Sequence, residues 1–168
     1  MQDEIVNKVA QSKLITFNLE DYYPQGKRVV LDIKDWLFEG FILKEKEFRA
    51  FVDAHDWSQY EGAYVALQSS TDAIVPGWAY LLLSVRLSGI AKKVIQGTLI
   101  DLETSIYQSI IESIDVTEYQ DKLIIIKGCS NKPVPSNAYL FLAERLKPVA
   151  KSIMYGEACS SVPLYKRK

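Results

Sequence analysis

The chain writes one stretch twice. Shifting the sequence by 59 positions lays Asp56–Gly97 onto Asp115–Gly156 without a gap, and 13 positions are identical. Among them are Asp56/Asp115, Tyr60/Tyr119, Val75/Val134, Pro76/Pro135, Tyr80/Tyr139, Arg86/Arg145 and Gly97/Gly156. Whatever element is assigned in one copy must therefore also suit the other.

Each copy reads as helix, strand, loop, helix, strand. The first helix of copy one spans about residues 44–55, with Phe48, Phe51 and Val52 as its apolar positions. Its counterpart, about Asp101–Ile114, carries Leu102, Ile106, Tyr107, Ile110, Ile111 and Ile114 on one face of a 3.6-residue period. The strands follow at Tyr64–Gln68 and Leu123–Lys127, apolar on both faces as a buried parallel sheet requires. Pro76 and Pro135 open the next helices, where a missing N–H costs nothing. Helix 76–87 is apolar almost all round, which predicts heavy burial. Strands at Lys93–Gly97 and Ser152–Gly156 close the two copies. The repeat thus spans 43–97 and 102–156.

A strand–helix–strand unit joins parallel strands by a right-handed crossover. Two such units predict a four-stranded parallel core, and the whole reads as a three-layer α/β fold built from two duplicated β-α-β units. Residues 2–11 predict a short helix, with Ile5, Val6, Val9 and Ala10 on one stripe. Strands at 13–19, 28–33 and 37–43 follow, the last two antiparallel because so short a connection separates them. They extend or cover the sheet as N-terminal antiparallel strands. Residues 157–168 predict an ordered loop and a frayed basic tail.

With 168 residues the chain fits a single domain over 1–168, long enough to bury about 70% of its unfolded surface. The net charge of −1 with dispersed Lys and Arg argues against a nucleic-acid partner. No apolar run approaches the roughly 20 residues of a membrane span, so no membrane partner is expected. The first residues lack the basic and apolar regions of a secretory signal, which predicts a cytoplasmic location with reduced thiols.

Ligands of an open parallel sheet bind outside the carboxyl ends of its strands. Three loops leave that edge in this reading: Ser69-Ser70-Thr71-Asp72, Gly128-Cys129-Ser130-Asn131 and Cys159-Ser160-Ser161. All are small, polar or nucleophilic, and each leads to a Val-Pro pair. They predict one shared polar pocket with Ser69, Ser70, Asp72, Ser130, Asn131, Cys159 and Ser160 as ligand-binding residues. Small residues also serve simply to make tight strand-to-helix turns. The pocket suits a small anion or a partner peptide, the first because backbone N–H groups of Gly128–Lys132 before a helix can cradle a phosphate.

A cysteine-dependent enzyme is the alternative, with Cys129 as nucleophile, flanked by Lys127 and Lys132 and supported by Cys159, Ser130 and Asp72. No general base can be read beside it. His55, the only histidine, falls on Ile114 in the other copy and reads as a packed, hydrogen-bonded side chain at a helix end. A phosphatase loop would need Arg six residues beyond the cysteine, where Pro135 and Tyr165 stand. Zinc on Cys129, Cys159 and His55 lacks a fourth ligand, so no metal site is expected, and the sequence names no cofactor. Arg86 and Arg145 read as helix-end ion pairs. The balance favours a binding or regulatory module, with a homodimer as its expected assembly.

Several phrases together carry a resemblance. They are the run 38–49 (FEGFILKEKEFR), His55-Asp56-Trp57, the run 72–80 (DAIVPGWAY), Lys127-Gly128-Cys129-Ser130 and the run 151–157 (KSIMYGE). Over nearly its whole length the chain resembles a family of small uncharacterised bacterial proteins, domain of unknown function 2480. The resemblance implies a cytoplasmic single-domain protein and brings no activity with it. It also implies that relatives often carry Cys where this chain has Ser69, which argues against a fixed three-cysteine metal site.

Overall fold

The computed structural model describes residues 14–128 and 131–168. The predicted helix over 2–11, Cys129 and Ser130 lie outside the described residues. The chain is mixed α/β, mainly parallel, with antiparallel pairing at one edge. It divides into two compact units, residues 24–106 and residues up to Tyr23 with Tyr107–Lys168.

In the 24–106 unit, β2 (Arg28–Asp32), β3 (Tyr64–Gln68) and β4 (Lys93–Gln96) form a parallel sheet in that order. Helix α1 (Glu45–Ala54) makes the crossover from β2 to β3, and α2 (Gly77–Leu87) the one from β3 to β4. Alternation decides what the strands bury. Val65 and Leu67 of β3 meet Phe48 and Val52 of α1 and Ala79, Leu83 and Leu87 of α2 in one core. The spacing of the α2 residues, i, i+4 and i+8, is one helical stripe. The expected heavy burial of α2 is therefore corrected: Leu81 and Val85, on the outer stripe, are 69% and 71% exposed. A helix laid on a sheet covers one face, and apolar content alone does not say how many faces are covered.

In the other unit, β1 (Leu14–Phe17), β5 (Leu123–Ile126), β6 (Ser152–Glu157) and β7 (Ser160–Lys166) form a sheet in that order. The first three run parallel and β7 runs antiparallel to β6. Helix α4 (Ser136–Leu146) is the β5-to-β6 crossover. Its Ala138, Leu142 and Leu146 pack with Ile124, Ile126 and Ile153, and with Tyr107 and Ile111 of α3 (Leu99–Ser113).

Three expectations about the strands are corrected. The two copies do not share a four-stranded parallel core. Each central strand instead takes a parallel neighbour from the N-terminal region: β2 lies beside β3, and β1 beside β5. The N-terminal strands are thus parallel rather than antiparallel. The strand predicted over 37–43 is a tight reversal, because Glu39 and Gly40 both take positive φ (51° and 75°). That fold-back pairs Phe38 with Ile42 as a single antiparallel bridge. Finally, the predicted loop and tail over 157–168 is β7, reached through a two-residue turn at Ala158-Cys159. Pro163 suits it, since an outer strand can spare an N–H.

Candidate functional site

The carboxyl ends of β2 and β3 hold a carboxylate that ties the exits of the two strands together. Strand β2 ends at Asp32, in register with Gln68 at the end of β3. The Asp32 carboxylate accepts the backbone N–H of Lys34 at 3.0 Å and that of Ser70 at 3.2 Å. It thereby fixes the start of the loop that leaves β3. Burial alone would raise this carboxyl. The hydrogen bonds from the Ser70 hydroxyl and from the Lys34 and Ser70 N–H groups, with the Lys34 charge, outweigh burial and hold it below its ordinary value. The Tyr80 hydroxyl of α2 is pushed up, first by burial and then by the negative charge of Asp32.

The same loop is tied to the 38–42 reversal. Thr71 Oγ1 donates to the Gly40 carbonyl at 2.8 Å and lies 3.1 Å from Ser69 Oγ. Two loops 31 residues apart thus form one rim. Ser70 and Asp72 are exposed on it and Ser69 is half-buried. The rim also carries bare apolar groups: Phe41 is 59% exposed, Ile42 53% and Ile74 92%. Behind it, Lys44 Nζ sits 3.1 Å from the centre of the Phe38 ring.

The second and third loops belong to the other unit. The Glu20 carboxylate accepts the backbone N–H groups of Asn131 and of Lys132, the latter at 2.8 Å. Two of the donors expected to cradle a phosphate, the N–H groups of Asn131 and Lys132, are therefore engaged by a carboxylate of the chain itself. Gly128 packs against the Tyr155 ring, which a Cβ there would meet at 2.9 Å and push aside. Tyr155 also donates its hydroxyl to the Gly128 carbonyl at 3.3 Å. Cys159 is an exposed free thiol on the β6–β7 turn, and Ser160 is exposed where β7 begins, paired with Glu157. Ser69, Ser70 and Asp72 thus lie on one unit, and Asn131, Cys159 and Ser160 on the other.

His55 ends α1 among aromatic rings. Its Nε2 is 2.8 Å from the Tyr60 hydroxyl, and its ring meets those of Trp36 and Trp57 edge-on at 5.0 and 4.9 Å. Burial lowers its pKa, partly offset by the nearby charge of Asp56. Arg86 pairs with Asp53 of α1, whereas Arg145 donates to the Glu112 and Ile114 carbonyls at the end of α3. Among the described residues, no group of three or more His, Cys, Asp or Glu side chains could hold a metal ion. Among the same residues, no helix is long and apolar enough to cross a membrane.

Asp32 and Glu20 escaped sequence reasoning because they act on loops 38 and 111 residues away. A signal for Asp32 was present: it is the first acidic residue after the apolar run Val29-Val30-Leu31, where a parallel strand ends.

No curated protein and no solved structure matches the chain. A family model does, over residues 3–167, and the chain belongs to that family, the proteins of unknown function DUF2480.

Proposed function

We propose that this protein is a non-catalytic binding module that takes a partner peptide at the carboxyl ends of β2 and β3. The observation that carries the reading is the paired rim. Phe41, Ile42 and Ile74 are held out to solvent on two loops that the Thr71–Gly40 hydrogen bond locks together. Bare apolar groups around polar ones mark a surface for a protein partner. Ser69, Ser70 and Asp72 supply the hydroxyls and the carboxylate that would fix the peptide's direction. A small anion suits the site less well, because Asp32 already places negative charge on the Ser70 N–H.

The setting we propose is the cytoplasm of a bacterium, and the origin a duplication of one β-α-β unit. The duplication is supported by recurrence of elements at one offset. Strands β3 and β5 begin at Tyr64 and Leu123, α2 and α4 at Gly77 and Ser136, and β4 and β6 at Lys93 and Ser152.

Selection of a displayed random peptide library on the immobilised protein tests the binding reading. The wild type should enrich a consensus containing apolar residues. A Phe41→Ser/Ile74→Ser variant, with an unchanged circular dichroism spectrum, should lose that enrichment. Equal enrichment on both proteins, or none on either, would refute it.

A further inference from the structure

The two loops that hold out Phe41, Ile42 and Ile74 carry an excess of negative charge. Residues 32–44 set Asp32, Asp35 and Glu39 against Lys34 and Lys44, and residues 68–78 hold Asp72 and no Lys or Arg. Both lysines already have a carboxylate close by. Lys34 stands two residues from Asp32, which accepts its backbone N–H. Lys44 Nζ lies 3.6 Å from a Glu47 carboxylate oxygen and over the Phe38 ring. On α1, Arg49 pairs with Glu45 at 2.9 Å. Lys46 is two positions from buried Phe48, about 200° around the helix and so on its outer side. Among the described residues, no cationic side chain pairs with Asp35, Glu39 or Asp72.

Two of these carboxylates stand where the loops join. Glu39 precedes Gly40 and Asp72 follows Thr71, one residue to either side of the Thr71–Gly40 hydrogen bond. Both are exposed. Next along the chain from them come Phe41 and Ile42 on one loop and Ile74 on the other, so charge and bare apolar surface are interleaved. Helix α2 begins at Gly77 and adds about half a positive charge at its N-terminus, which the two carboxylates exceed.

We infer, on the basis of the peptide-binding role proposed for this rim, that the peptide it accepts is cationic as well as apolar. Lys or Arg of the peptide meets Glu39 and Asp72, and its apolar side chains cover Phe41, Ile42 and Ile74. Unpaired carboxylates around an apolar patch draw cationic partners and repel acidic ones. Lys and Arg suit both features at once, because the methylene stem covers apolar surface while the charged head reaches the carboxylates. A second copy of the chain fits this rim less well, since a two-fold contact would oppose the same carboxylates.

The test is the displayed-peptide selection on the full chain, followed by fluorescence anisotropy of an enriched, labelled peptide at about 50 and 500 mM sodium chloride. On the wild type the consensus should place Lys or Arg among apolar residues, and affinity should fall about three- to tenfold at the higher salt. Glu39→Asn/Asp72→Asn should weaken binding by about the same factor at low salt and leave little salt dependence. Asn is better suited than Glu to a φ of 51°, and neither replaced side chain is buried, so the variant keeps its fold. Enrichment of neutral or acidic apolar peptides, or an affinity unchanged in the double variant, overturns this inference and leaves the peptide-binding role standing. No enrichment on the wild type removes both.

Discussion

Replacing Asp32 should loosen the proposed binding rim before it loosens the fold. Asp32→Ala deletes the acceptor for the N–H groups of Lys34 and Ser70 and for the Ser70 hydroxyl. A hydrogen bond to a charged acceptor is worth about 1.5–3 kcal/mol, and an orphaned buried donor costs more. Here Lys34 and Ser70 are both exposed, so water can replace much of what is lost. The net cost is therefore about 1–2 kcal/mol. For a chain of this size that lowers Tm by about 2–8 °C. Asp32→Asn keeps an acceptor oxygen and should cost less than half as much. The pH dependence has a definite sign. The folded carboxyl lies below the ordinary 3.8. Its contribution is complete above that value and is lost as pH falls through the folded one. Urea titrations at pH 7 and pH 3 should show the wild type and Asp32→Asn converging at the lower pH. Hydrogen exchange at the Ser70 amide should be faster in Asp32→Ala at pH 7. An unchanged Ser70 exchange rate, with stability within about 0.3 kcal/mol of wild type, would refute the assigned role.

Two further predictions concern the body of the 24–106 unit. Arg28 and Glu103 form an ion pair at 2.7 Å with side chains only 13% and 10% exposed, and Arg28 also donates to the Pro24 and Gly26 carbonyls. Glu103→Ala removes the carboxylate that the guanidinium meets at 2.7 Å and should cost about 1.5–3 kcal/mol in chemical denaturation, whereas Arg28→Met/Glu103→Leu should cost less. His55 has a folded pKa below its ordinary 6.5. Its neutral form is therefore the one that the fold favours, and stability should be full above that value and fall as pH drops through the folded pKa. His55→Gln should flatten the Tm profile between pH 7 and 5, and a profile identical to that of wild type would remove His55 as its cause.

The local elements were legible in the sequence because each has a short-range signature. The i, i+4 stripe of α3, the apolar runs of β3 and β5 and the prolines before α2 and α4 are examples, and the repeat let each copy check the other. Which strands become neighbours was not legible. Periodicity gives the faces that a strand buries and says nothing about its partner, so β1 and β2 could not be assigned to different sheets. The 38–42 reversal hid behind its apolar residues, because the positive φ of Glu39 is invisible in its side-chain type. Strand β7 hid behind Pro163, which breaks an interior strand and not an outer one. At the candidate site, the small polar loops could be read, but the carboxylates that pin them lie far away along the chain. The rim formed by Gly40 and Thr71 rests on one long-range hydrogen bond.

The most direct measurement is amide chemical-shift mapping of the isotope-labelled protein titrated with a peptide from the library selection. Binding at the carboxyl ends of β2 and β3 predicts saturable shifts confined to Asp32, Gly40–Ile42 and Ser69–Ile74. Shifts that cluster on β7 or at the Cys159 turn, or that fail to saturate, would contradict the account.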